Sequence, residues 1–173
     1  QGLHRIVEIF AAEQRHEASP YWFERDDCPP SDTLPNGGKG TPVAYTGMTW
    51  SGFRPSDDAC RYGYLIPANL FACVTLRRIA AFARVMDDEA LAGQAEQLHE
   101  QIERGIQAYG LVEHVNHGLI YAYETDGMGH YTLMDDANVP SLLSLPYLGV
   151  CDKDDALYRR TRSFVLSMDN RYY

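Results

Sequence analysis

YTGMTWSGFRPSDDACRYGYLIPAN, residues 45–69, is the most informative stretch of the chain. It places two adjacent acids, Asp57 and Asp58, close to the cation Arg54. The aromatic residues around them are Trp50, Phe53, Tyr62 and Tyr64. A core segment has no need of neighbouring carboxylates, whereas sugar sites use both carboxylates and flat apolar rings. The stretch therefore predicts a carbohydrate-active site.

The sequence that follows this stretch predicts a helical hairpin over residues 67–110. Pro67 suits the first turn of a helix that runs to about Met86. A second helix is expected over about residues 88–109, with Gly110 as its C-terminal residue. Apolar residues at helical spacing in Leu3–Ala12 predict another helix near the start of the chain.

The other segments divide the chain into one long loop and two further regions. Residues 19–66 are rich in aromatic, proline and glycine residues and predict a long loop. Weak alternation around residues 116–118 predicts a short β-hairpin over 111–124. Residues 125–173 predict a glycine-rich loop followed by helices over 139–149 and 154–167. We expect residues 1–173 to form one segment of a larger domain.

A similar motif occurs in both halves of the chain. Asp57-Asp58 precedes a proline-started helix, and Asp135-Asp136 precedes a second predicted one. Rings of helical hairpins place equivalent loops at one end, where each can donate polar groups to a central pocket. The predicted fold is therefore mainly α, a partial helical toroid with a short β-hairpin.

Each candidate site residue also has a structural explanation. Asp57 or Asp58 suits either a helix cap or a general acid, which needs a pKa raised by burial or by a neighbouring carboxylate. The remaining acid of the pair is expected to stay ionised against Arg54 and to bind sugar hydroxyls, and Arg54 is expected to be a substrate-binding residue as well. Trp50 suits a core position as well as a sugar-stacking platform. Four further residues could recognise sugar hydroxyls, and the structural alternative for them is a helix cap or an ordinary surface position. They are Asp135, Asp136, Asn138 and His130.

The composition of the chain argues against several classes of partner and ligand. A net charge of −9 without Lys/Arg clusters argues against nucleic acid and anionic membranes. The apolar run Leu65–Val74 is too short to cross a bilayer. The four cysteines have no metal-ligand spacing, and no calcium-loop or HExxH pattern occurs, so we expect neither a metal nor a cofactor. The sequence does not indicate the cellular compartment of the protein.

The stretches GMTWSGFRPSDDACRYGYLIPANLFA and MDDANVPSLLSLPYLG closely resemble glycoside hydrolase family 125. The resemblance implies an (α/α)6 barrel and an exo-acting α-1,6-mannosidase that works with inversion and without a metal. It implies a general acid at Asp57 or Asp58. The family's general base, a glutamate in a His-Glu-Ser-Phe type motif, has no counterpart in this chain.

The expected function is therefore part of an inverting α-mannosidase that binds mannose-containing oligosaccharides or N-glycan fragments. The isolated segment is expected to be inactive and to self-associate, because half a toroid leaves helix faces unburied. A non-catalytic carbohydrate-binding or interaction module is the alternative. A lyase or epimerase would need a Tyr or His base that the sequence does not place.

Overall fold

Two long helices packed side by side form the centre of the fold, which this computed structural model describes over residues 1–172. Helix α3 spans Ile66–Val85 and helix α4 spans Glu89–Tyr109. The Asp88 side chain caps α4 by accepting the N–H of Leu91 at 3.0 Å. Both helices predicted for this part of the chain are present.

Helix α1, Gly2–Glu13, packs against α4 and is the helix predicted near the start of the chain. The long connection that follows contains two 3₁₀ turns, His16–Ala18 and Pro30–Asp32. It also contains the single turn α2, Pro35–Gly38. The connection is otherwise irregular, as the proline and glycine content predicted.

Five short strands form two antiparallel sheets. Strands β2, Leu111–His114, and β3, Gly118–Tyr121, form the predicted hairpin. The second sheet has the order β1-β4-β5, formed by Tyr64–Leu65, Glu124–Thr125 and Tyr131–Thr132. This three-stranded sheet was not predicted. It joins the informative stretch to the segment after the hairpin.

The last helix, α5, spans Ala156–Val165 and packs on β3. Asp155 caps it by accepting the N–H of Tyr158 at 2.8 Å. The helix predicted over 139–149 is wrong, because that segment is a series of turns. Its serines bind the backbone there: Ser144 Oγ accepts the N–H of Ser141, and Ser141 Oγ accepts that of Ser144.

Apolar side chains of α3 and α4 make up much of the core, together with the strands. By length and composition alone α3 could cross a membrane, and it is longer than the apolar run seen in the sequence. Most of α3 is nevertheless buried inside the protein, as in any core helix, so its composition is weak evidence for a membrane. The regular structure of the described residues is mixed, with helices and a few short strands, and the complete (α/α)6 ring stays a prediction.

Candidate functional site

The centre of the candidate site is an ion pair between Arg54 and Glu124. Arg54 Nε lies 2.6 Å from Glu124 Oε1, and Glu124 has no exposed surface. Burial alone lowers the pKa of Arg54, but the hydrogen bond and charge of Glu124 more than offset this and raise it. The cation beside the acid pair is thus held by Glu124, and not by Asp57 or Asp58 as the sequence analysis expected.

Glu124 also organises the backbone of the informative stretch. Its second oxygen, Oε2, accepts the N–H groups of Arg61 at 3.1 Å and Tyr62 at 3.2 Å. Since Glu124 lies on β4, this carboxylate connects the three-stranded sheet to the segment just before β1. It therefore fixes the side chain of Arg54 and the main chain of residues 61–62 together.

Tyr123 lies beside this ion pair. Its ring centroid is 5.7 Å from the Arg54 guanidinium carbon, and the residue is fully buried. Burial raises the pKa of the Tyr123 phenol, and the charges of Asp136 and Asp135 act in the same direction. Its hydroxyl has no hydrogen-bond partner within the described residues. A buried hydroxyl without a partner is uncommon, and such groups often occur at functional sites.

Asp135 and Asp136 enter the site from the loop after β5. Both oxygens of Asp135 accept backbone N–H groups, from Leu142 at 2.7 Å and Leu143 at 2.9 Å. Burial raises the pKa of Asp135 to about 6 although these hydrogen bonds oppose the shift. This carboxyl can therefore hold a proton close to neutral pH.

Asp136 has fewer partners than its neighbour. One oxygen, Oδ1, accepts the N–H of Asn138 at 2.9 Å within the same loop. Asp136 is half-buried, whereas Asn138 is exposed. The predicted acids 135 and 136 thus act on Tyr123 through their charge, and Asn138 lies exposed on the same loop.

Asp57 and Asp58 lie on a tight turn that begins at Arg54. The N–H of Arg54 donates to the carbonyl of Asp58 at 2.8 Å, and the N–H of Asp57 donates to that of Arg54 at 3.0 Å. Asp57 has a φ of 68°, and both carboxylates are exposed. The turn directs Arg54 inward to Glu124 and leaves the two acids at the surface.

Asp57 borders a hollow of about 420 Å³. The residues that line it with Asp57 are Tyr21, Phe23, Arg25, Asp32 and Phe53. Phe23 and Phe53 meet edge to face with centroids 5.2 Å apart. Neither Asp135 nor Asp136 lines this hollow. The described chain thus has one carboxyl pair at an aromatic hollow and another beside Tyr123.

Trp50 occupies the core position that the sequence analysis left as one of two alternatives. The residue is 6% exposed, and its ring stacks on His16 with centroids 3.4 Å apart. Tyr21 tilts against the same indole at 6.1 Å. The exposed rings of this region include those of Tyr21, Trp22, Phe23 and Tyr45.

His130 lies on the loop between β4 and β5 and is 65% exposed at its side chain. Its Nδ1 is 2.6 Å from Oδ2 of the buried Asp126, and its ring stacks on Tyr62 at 5.9 Å. This predicted residue thus lies next to the segment that Glu124 holds.

A group of two histidines and one aspartate lies near the turn of the β2–β3 hairpin. His114, His117 and Asp169 each offer a ligand atom, and these atoms lie within 4.8 Å of one another. Asp169 Oδ2 accepts a hydrogen bond from Asn116 at 2.9 Å and lies 3.0 Å from His117 Nε2. Hydrogen bonds account for this grouping. The four cysteines are free thiols.

Sequence reasoning missed Tyr123, Glu124 and Asp126. A signal for them exists in the segment Tyr-Glu-Thr-Asp, residues 123–126, where two acids are two positions apart at the end of a predicted hairpin. Acids at that spacing share one face of a strand. Both prove to be buried, Glu124 completely and Asp126 with 3% exposed.

Comparison with known proteins finds a matching family model and similar proteins. The family model described as metal-independent α-mannosidase, GH125, matches residues 1–173. A Streptococcus pneumoniae protein of a family of metal-independent α-mannosidases, solved as a non-productive substrate complex with α-1,6-mannobiose, is 44% identical. The likeness covers 99% of this chain and 41% of that chain, with a TM-score of 0.96.

The meiotically up-regulated gene 157 protein of Schizosaccharomyces pombe is also similar. It is 43% identical over 155 residues, which are 88% of this chain and 30% of the yeast protein. The chain thus spans well under half the length of both relatives.

Proposed function

We propose, since this chain belongs to the metal-independent α-mannosidase family GH125, that it forms part of an exo-acting enzyme that removes terminal α-1,6-linked mannose with inversion. The observation that carries the proposal is the structural similarity to an α-mannosidase solved with α-1,6-mannobiose, which extends over 99% of this chain. The substrate class is a mannose-containing oligosaccharide or N-glycan fragment.

The proton donor in this proposal comes from the pair Asp135–Asp136. A general acid must hold a proton near the working pH, and burial raises the pKa of Asp135 to about 6. Asp136 contributes a carboxylate oxygen that no other described side chain binds. The phenol of Tyr123 and the Arg54–Glu124 pair are buried polar groups behind these acids.

The sequence analysis favoured Asp57 or Asp58 as the donor. Both side chains are exposed on their turn, where they can contact sugar hydroxyls. Asp57 borders the aromatic hollow, where rings can pack against a sugar face. We assign that pair to substrate binding.

The general base lies outside this chain in this proposal. Inverting glycosidases keep their two carboxyl groups roughly 6.5–9.5 Å apart so that a water molecule fits between them. The base then activates that water on the face of the sugar opposite the acid. The isolated chain is therefore expected to bind mannosides without turning them over.

The test is hydrolysis of α-1,6-mannobiose by a full-length protein containing this chain. The first-formed anomer, observed by NMR, should be β-mannose if the reaction inverts. Asp135→Asn or Asp136→Asn should lower kcat by about 10²–10⁴-fold, while Asp57→Asn and Asp58→Asn should mainly raise KM.

Two results would redirect the assignment. A large loss of kcat in Asp57→Asn or Asp58→Asn, with both 135–136 variants active, returns the acid to the first pair. A full-length protein that binds mannobiose without cleaving it supports the alternative of a non-catalytic carbohydrate-binding module.

Self-association of the isolated chain belongs to the same proposal. Several large apolar side chains are more than half exposed, among them Phe82, Val85, Tyr147 and Met168. Such surfaces promote association when nothing covers them. Sedimentation velocity of the isolated chain should show dimers or larger species, and a monodisperse monomer would contradict this expectation.

A further inference from the structure

Asp126 is a buried carboxylate that binds an exposed imidazole. Its Oδ1 accepts the N–H groups of Met128 at 2.7 Å and of His130 at 3.2 Å, which closes the loop between β4 and β5. Its Oδ2 lies 2.6 Å from His130 Nδ1. One oxygen therefore serves the turn, and the other serves the ring. The hydrogen bonds that close the turn do not require the contact between Asp126 Oδ2 and the His130 ring.

The contact fixes which nitrogen of His130 carries a proton. Burial alone raises the pKa of Asp126, but its hydrogen bonds to Met128 and His130 outweigh this effect and lower it, so the group is a carboxylate. A carboxylate only accepts hydrogen bonds, so Nδ1 must be the donor. In the neutral ring Nε2 is then left as a hydrogen-bond acceptor that points away from Asp126.

His130 is exposed but held from several sides. Thr125 Oγ1 donates to its carbonyl at 3.0 Å, and its ring lies nearly parallel to that of Tyr62. Tyr62 is fixed in turn, because Glu124 accepts its N–H and that of Arg61. The Arg61 guanidinium carbon lies 5.5 Å from the Tyr62 ring centroid.

Arg61, Tyr62 and His130 together form a surface that we call the ledge. Two buried carboxylates, Glu124 and Asp126, anchor it from below. The ledge presents a guanidinium, a phenol and an imidazole acceptor. Sugar hydroxyls both donate and accept hydrogen bonds, so groups of this kind at fixed positions suit them.

We infer that the ledge is a mannoside subsite, and that Asp126 is a positioning residue that holds His130 Nε2 as the acceptor for a sugar hydroxyl. The inference rests on the proposed function, since the mannoside is that of the proposed substrate class. His130 touches the sugar, and Asp126 acts only through His130.

The experiment uses the full-length protein, with affinity measured by calorimetry on a non-hydrolysable thio-linked analogue of α-1,6-mannobiose and turnover measured on α-1,6-mannobiose itself. His130→Ala and Asp126→Asn should each raise Kd and KM about tenfold, with kcat changed by less than about threefold. The double variant should be no weaker than His130→Ala, because Asp126 acts through the ring. ¹⁵N spectra of the His130 ring should show the Nδ1–H tautomer in the wild type and a mixture in Asp126→Asn.

Asp169→Asn is the matched control, because Asp169 faces His117 in a similar pair at the β2–β3 hairpin. It should leave Kd and KM unchanged. Thermal unfolding of each variant shows whether the fold persists, and the exposed His130→Ala variant tests the subsite even if Asp126→Asn is unstable.

The outcomes separate the two proposals. Wild-type affinity in His130→Ala overturns the subsite. Weaker binding in His130→Ala with an unchanged tautomer and affinity in Asp126→Asn overturns the positioning role. Binding without hydrolysis overturns the proposed function but leaves the ledge to be judged by its Kd values, and a wild type that binds no mannobiose overturns both.

Discussion

Arg54 Nε and Glu124 Oε1 lie 2.6 Å apart although 70 positions separate them in the chain. The pair joins the turn of the informative stretch to β4, and Glu124 is completely buried. Burying two charges is costly unless each finds its partner. This ion pair is therefore the connection on which the geometry of the site depends most.

Glu124→Gln should destabilise the protein by about 3 kcal/mol, because it leaves the Arg54 cation without its counter-charge in a mostly buried position. Urea unfolding of both proteins at neutral pH measures the difference. The control is Glu96→Gln, which removes the partner of Arg84 in an exposed pair and should change little. Equal effects of the two substitutions would contradict the role given to the buried pair.

Asn69→Ala should cost about 2–4 kcal/mol, since the buried amide makes three hydrogen bonds. Its oxygen accepts the N–H of Thr49 at 2.9 Å, and its nitrogen donates to the carbonyls of Thr49 and Leu65 at 3.0 Å. These bonds tie the loop before Arg54 to α3. Thermal or urea unfolding measures the loss, and Asn138→Ala, at an exposed position, should have little effect.

The helices could be predicted from sequence because their signals are local. Apolar spacing, Pro67 and the acid before α4 all lie within or next to the helices they define. The 139–149 segment misled the same reasoning, since its serines bind the backbone and Asp135 takes the N–H groups of Leu142 and Leu143. Hydrogen bonds from side chains replaced the expected helix there.

The site was predictable only in part, because its contacts are distant in sequence. The acid pairs, Arg54 and His130 could be nominated from residue type. Two-residue strands such as β1 and β4 are too short to give a periodic pattern, so the sheet that brings Glu124 to Arg54 left no signal of its own. The partners of Arg54 and of His130 therefore became visible only in three dimensions.

Asp135 should make stability depend on pH in the direction opposite to a salt-bridged carboxylate. Its pKa is about 6 in the folded protein and 3.8 as the reference value, so the folded state retains this proton longer than the unfolded state does. The contribution is complete below about pH 4 and is lost as the pH rises to about 6, for a total on the order of 2–3 kcal/mol.

Urea unfolding at pH 4, 5, 6 and 7 measures this dependence in the wild type and in Asp135→Asn. The variant has a constant difference in stability from the wild type, because the amide nitrogen that replaces one carboxylate oxygen cannot accept a backbone N–H. The informative quantity is therefore how the free energy of unfolding changes with pH in each protein. The free-energy difference should shift in favour of the variant between pH 4 and 6, and parallel curves would show that Asp135 titrates normally.

Two glycines should respond in opposite ways to the same substitution. A Cβ at Gly63 would overlap the indole of Trp50 at Nε1 and Cδ1, and that indole is buried against His16. Gly63→Ala should therefore cost about 3 kcal/mol or more. Gly93 lies exposed in α4, where an added methyl group would meet no atom within 4 Å. Gly93→Ala should stabilise by about 0.5–1 kcal/mol, because alanine is the better helix former. Thermal unfolding of both variants tests the pair, and a neutral Gly63→Ala would mean that the indole can move away from its position beside His16.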